Sequence, residues 1–151
     1  MITLEPVTAS NVEDALALRV APEQEHVVRP VATSLAEAYV HPDVAWPRLV
    51  VDDGVVVAFV MALLGSAWED DPTDVRSGLW RLNVDQGRQG RGYGRFAVHE
   101  VCEELRRRGA DACFVTYHLG AGTPEPFYRR LGFVPTGEVS GDQAVARLGL
   151  R

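Results

Sequence analysis

One short segment constrains this chain more than any other. Gln89-Gly90-Arg91-Gly92-Tyr93-Gly94 sits between an apolar stretch ending near Val84 and a run with helical spacing that starts near Tyr93. Gly92 and Gly94 permit turn backbone that side chains exclude and let a ligand approach the main chain. A strand entering this turn and a helix leaving it aim successive N–H groups inward, beside the positive end of the helix. Such a nest binds phosphate oxygens. Arg88, Arg91 and Arg95 cluster around it, and Arg91 and Arg95 add charge-assisted contacts. The glycine spacing does not fit a dinucleotide fingerprint, and no Gly-Lys-Ser/Thr follows, which excludes a nucleotide P-loop.

The surrounding pattern supplies the strand and the helix. Leu79 to Asp85 reads as a strand, and Ala97, Val98, Val101, Cys102 and Leu105 recur at helical spacing until Gly109 stops them. Upstream, Ile2-Thr3-Leu4 alternates as a strand. Ser10 to Glu13 and Ser34 to Glu37 read as two capping boxes, the first opening a helix with Val12, Leu16 and Val20 on one stripe. Asp53-Gly54 between Leu49-Val50-Val51 and the run Val55 to Leu64 predicts a hairpin. Glu69 to Asp74 reads as an acidic loop. Downstream come a strand from Ala112 to Tyr117, a short helix after Pro124 carrying Phe127 and Tyr128, and two strands, Phe133-Val134 and Ala144 to Leu150. The order is β-α-α-β-β-β-α-β-α-β-β, one domain over residues 1–151 with a single central sheet.

Charge and composition narrow the partners. The net charge of −6 disfavours nucleic acid, whose phosphates need a basic field. The longest apolar run, Val55 to Leu64, is half the length of a membrane span. The opening residues show no basic-then-apolar leader, so the expectation is a cytoplasmic protein with no membrane partner. Cys102 and Cys113 lie in apolar segments and read as buried thiols. His26, His41, His99 and His118 share no ligand spacing, and no metal is expected.

Three blocks carry a family resemblance. Leu79-Trp80-Arg81-Leu82-Asn83-Val84-Asp85, Gln89 to Gly94, and Phe127-Tyr128-Arg129-Arg130-Leu131-Gly132-Phe133 resemble the GNAT acetyltransferase superfamily. The first two match its acetyl-CoA motif and the third its Tyr-x-x-Leu-Gly-Phe motif. Gln24-Glu25, Ser34 to Ala38 and Thr136-Gly137-Glu138 resemble its polyamine (spermine/spermidine) acetyltransferase-like branch. The resemblance implies an α/β GNAT fold, a central mixed sheet flanked by helices, with splayed strands holding acetyl-CoA as co-substrate.

It also implies roles. Leu82, Asn83 and Val84 would meet the pantetheine arm, and Gln89, Gly90, Arg91, Gly92, Tyr93, Gly94 and Arg95 the pyrophosphate. Tyr128 would protonate the leaving thiolate, with Phe127 packed beside it. A small-molecule amine, a polyamine among the candidates, would attack the thioester directly, and a base would take its proton. Glu37 and Asp85 are the candidates, and Glu37 is also the capping partner of Ser34 in the helical reading. The alternatives are a non-catalytic acetyl-CoA-binding module and aminoacyl-tRNA acetylation, the latter disfavoured by acidity. A homodimer is among the assemblies the family allows. One departure stands out: many relatives carry an asparagine where this chain reads His118-Leu119-Gly120-Ala121-Gly122-Thr123-Pro124.

Overall fold

Residues 1–120 and 122–151 are described by a computed structural model of the chain. The middle of the apolar run, Val57 to Ala62 within β3 (Val55–Trp68), is buried on both faces. Phe59 and Met61 point toward α1 (Val12–Leu16) and α2 (Val31–Val40), where they meet Ala15, Leu18 and Val31. Ala58, Val60 and Ala62 point the other way, toward α3 (Tyr93–Arg107) and its buried stripe of Ala97, Val98, Val101, Cys102 and Leu105. A strand apolar on both faces belongs inside a sheet covered on both sides. Period-2 alternation in the strand and period-3.6 spacing in α3 together make a three-layer core.

The remaining elements are β1 (Ile2–Pro6), β2 (Ala45–Asp52), β4 (Asp71–Val84), β5 (Ala112–Tyr117), α4 (Glu125–Arg130), β6 (Val134–Ser140) and β7 (Gln143–Gly149). The seven strands lie in the order β1-β2-β3-β4-β5-β7-β6. Every neighbouring pair is antiparallel except β4 and β5, which run parallel. Asp53 and Gly54 both take positive φ in the β2–β3 turn, as the Asp-Gly pair predicts.

Three local expectations are corrected. The first capping box does not form: the Asn11 side chain accepts from the Thr8 N–H and donates to the Pro6 carbonyl. That tight turn starts α1 at Val12, and the helix ends at Leu16, short of Val20. The second box does not form either, because α2 begins three residues earlier, directly after Pro30. Proline's fixed φ suits the entry to a helix. Ser34 therefore lies inside the helix and fully buried, and Glu37 is released from any capping role. The acidic segment is a hairpin turn rather than a loop. Glu69 and Asp70 take positive φ, and Asp71 already pairs with Trp68.

Candidate functional site

The site exists because β4 leaves β5. The two strands share one register pair, Gly78 with Phe114, whereas β5 and β7 share six. Gly78 is required there: a Cβ on it would lie 2.2 Å from the Phe114 carbonyl oxygen. Beyond Gly78 the register against β3 slips, since Leu79 faces Ala62 and Arg81 faces Met61, leaving Trp80 as an extra residue. A bulge bends the strand and increases its twist. The diverging strands open a cleft of about 1080 Å³, with Leu82 and Val84 on one wall and Val115 and Tyr117 on the other.

The glycine-rich segment closes one end of this cleft. After Val84 the chain makes a short 3-10 turn at Gln86–Arg88, runs extended through Gln89, and turns at Gly90 and Gly92, with φ of +78° and +84°. Gly92 is the N-cap of α3 and has nothing within 4 Å of where a Cβ would be. The first N–H groups of α3 have no intrahelical acceptor and carry the positive end of the helix dipole. Gly94 packs against Phe127: a Cβ would meet its ring at 3.2 Å. Arg88 and Arg95 line the same end.

Tyr128 lies in the opposite wall. Pro124 caps α4, which turns Phe127 and Tyr128 inward beside β5. The Tyr128 ring stacks on Tyr117 at 5.7 Å and meets Phe127 and Phe133 edge-on at 5.0 and 5.5 Å. Burial, and secondarily Cys113 beside it, pushes the phenol above the ordinary tyrosine range. Tyr128 therefore stays protonated through neutral pH and lines the cleft.

The carboxylates considered as bases are placed otherwise. Glu37 takes two hydrogen bonds from Arg81 Nη2, at 3.0 and 3.2 Å, and is not among the residues lining the cleft. A base must reach the proton it removes, and in this arrangement the partner of Glu37 is Arg81. Asp85 accepts from the Arg19 N–H at 3.1 Å and lies 3.9 Å from Arg88 Nε, joining the end of β4 to the segment after α1.

Of the residues expected to meet the cofactor, Leu82, Val84, Gln89, Gly90, Gly92, Tyr93, Gly94, Arg95, Phe127 and Tyr128 are brought together around the cleft. Asn83 and Arg91 are not. Several side chains are committed to structure instead. Asn83 Nδ2 donates to the Arg29 carbonyl at 2.8 Å, Gln89 Nε2 to Gln24 Oε1 at 2.8 Å, and the Tyr93 hydroxyl to Asp52. For Gln89 and Tyr93 this leaves the backbone as the part facing a ligand. Sequence reasoning passed over Gly78, although a lone glycine in an apolar strand signals close backbone approach. It also passed over Arg29 and Arg81, which line the cleft from the α2 side. Ala121 in the segment without the family asparagine lies outside the described residues. Among the described residues no helix is long and apolar enough to cross a membrane.

Comparison with known proteins agrees with this fold. A family model described as Acetyltransferase (GNAT) family matches residues 14–133. Mycothiol acetyltransferase of Beutenbergia cavernae is 33% identical over 99 residues. That match covers 66% of this chain but 31% of the relative, so the chain spans about a third of that protein's length. A GNAT-family protein from Desulfovibrio desulfuricans superposes with a TM-score of 0.76 at 17% identity, both chains being covered in full. PaiA N-acetyltransferase from Thermoplasma acidophilum, in complex with coenzyme A, superposes with a TM-score of 0.72 at 14% identity over 99% of each chain.

Proposed function

This chain belongs to the GNAT acetyltransferase family, and from that premise we propose that it moves an acetyl group from acetyl-CoA to a primary amine of a small molecule. The observation that carries this reading is the parting of β4 from β5 beside the amide nest of Gly92 to Arg95. The residues present suit acetyl-CoA. Backbone N–H groups and the arginines Arg88 and Arg95 meet its pyrophosphate, and the apolar walls Leu82, Val84 and Phe127 suit its pantetheine arm.

Acetyl-CoA supplies the activated acyl group. The backbone from Leu82 to Val84, freed of β5, offers N–H groups to the carbonyl oxygen on which negative charge develops. Tyr128, kept protonated by its burial, donates to the departing sulfur. The amine must be neutral to attack, and free amines are mostly protonated near pH 7. Glu37 is held by Arg81 and Asp85 by Arg19, so in this reading the proton leaves to water at the cleft mouth.

The test is release of coenzyme A from acetyl-CoA against a panel of amines, combined with Tyr128→Phe. The variant is expected to lower kcat by about 100-fold while acetyl-CoA binds within about twofold of the parent. An unchanged kcat would remove the acid role. Tight acetyl-CoA binding with no turnover on any amine would favour a binding module over an enzyme.

A further inference from the structure

The cleft has a one-sided charge inventory. Among the described residues lining it are five arginines, Arg29, Arg81, Arg88, Arg95 and Arg130, and no aspartate or glutamate. Arg88 and Arg95 belong to the glycine-rich end, where a pyrophosphate accounts for them. Arg29 and Arg81 do not: they stand on the α2 side of β4, next to Trp80.

Their placement is built. The Trp80 bulge turns Arg81 to the α2 face, where its guanidinium lies 5.6 Å from the Trp80 ring with its side chain 20% exposed. Asn83, two residues along the same strand, anchors the Arg29 carbonyl, and the exposed Arg29 side chain is near enough for its charge to act on Arg81. Burial, and secondarily the charge of Arg29, holds Arg81 below the ordinary arginine range, against the pull of Glu37. Glu37 balances one of the two, and Arg29 forms no ion pair among the described residues. Apolar Val27, Val28, Leu63, Trp68 and Trp80 complete this end of the cleft.

Resting on the acetyl-transfer reading above, we infer that the acceptor is an amino acid with an apolar side chain, its carboxylate held by Arg29 in the positive field of Arg81, and that polyamines are not acceptors. Arg81 directly precedes Leu82, and neighbouring Cα atoms are about 3.8 Å apart. Arg81 turns to α2 and Leu82 to the other face of the strand, so a carboxylate on the arginine side and an amine beside Leu82 are parted by the strand edge, a distance a small amino acid spans. The same arginines favour the neutral form of a nearby amine, because a like charge disfavours protonation. This helps the attack where no carboxylate is placed as base. A polyamine brings several positive charges to a cleft whose described lining residues include no carboxylate to meet them.

The experiment compares phenylalanine, phenylalaninamide, phenethylamine and spermidine as acceptors, by coenzyme A release, in the parent and in Arg29→Gln. It also measures binding of N-acetylphenylalanine and its amide to the coenzyme A-loaded protein. The expected result is a kcat/KM for phenylalanine at least tenfold above the other three, and an acid-to-amide ratio that falls toward 1 in Arg29→Gln. Preference for spermidine or for the amide, an unchanged ratio in Arg29→Gln, or equal binding of acid and amide would overturn the inference. Failure of acetyl-CoA itself to bind would instead overturn the acetyl-transfer reading, so the two failures are distinguishable.

Discussion

In its first half β4 is tied to its neighbours by backbone and side chains alike, whereas in its second half it keeps β3 and gives up β5. The tied half centres on Arg76. Its guanidinium bonds Asp74 and reaches two strands past β5 to Glu138 on β6, with oxygens at 3.0 and 2.7 Å. Its face lies 4.4 Å from the Phe114 ring and 4.7 Å from Trp68. Just beyond, Gly78 brings β4 against Phe114. The parted half has no such clasp. Its polar side chains turn away to α2 and to Arg29, and its apolar ones line the cleft. The contrast teaches that an open wedge in a sheet needs a firmly closed end, since separated strands without one would either zip up or come apart.

The largest effect is expected at the pivot between the two halves. Gly78→Ala sets a Cβ against backbone that cannot move aside. The expected loss is about 3 kcal/mol or more, a fall in Tm of about 6–12 °C by thermal melting. A Tm equal to the parent's would mean that the strands do not meet there.

A substitution in the open half affects binding before stability. Gly92→Val places a β-branched residue at φ of +84°, where the expected strain is about 1–2 kcal/mol. The displaced N–H groups should weaken acetyl-CoA binding by about tenfold or more in calorimetry, since tenfold corresponds to about 1.4 kcal/mol. Retained affinity would remove the nest from the pyrophosphate site.

The smallest effect belongs to the clasp. Arg76 holds the Glu138 carboxyl down at about 2, below its ordinary 4.5. Its contribution is fully present above pH 4.5 and is lost as pH falls through about 2. Glu138→Gln should therefore be slightly less stable than the parent at neutral pH, and the gap in urea midpoint should shrink between pH 4.5 and 2. A gap constant with pH would show that this ion pair does not hold β6 over β4.

Much of this was legible along the chain. The order of elements follows from alternation in strands and from the helical stripe of α3, both properties of residues within a few positions of each other. The Asp53-Gly54 hairpin and the αL glycines of the Gln89–Gly94 loop are similarly local, because positive φ is a property of a single residue. The capping boxes misled for a related reason. A Ser-x-x-Glu pattern shows that a cap is available, but Pro30 and the Asn11 turn had already fixed where the helices begin.

The site divides along the same line. By itself the sequence determined the glycine-rich turn, the strand before it and the position of Tyr128, because each depends on short-range pattern. The tertiary structure alone decided the use of the polar side chains. Glu37 meets Arg81 across 44 residues, Tyr93 meets Asp52 across 41, and Gln89 meets Gln24 across 65. Such partners are chosen by which surfaces packing brings within about 3 Å, and no local spacing encodes that. It was this packing that took Glu37 out of the cleft and left Arg29 and Arg81 to line it.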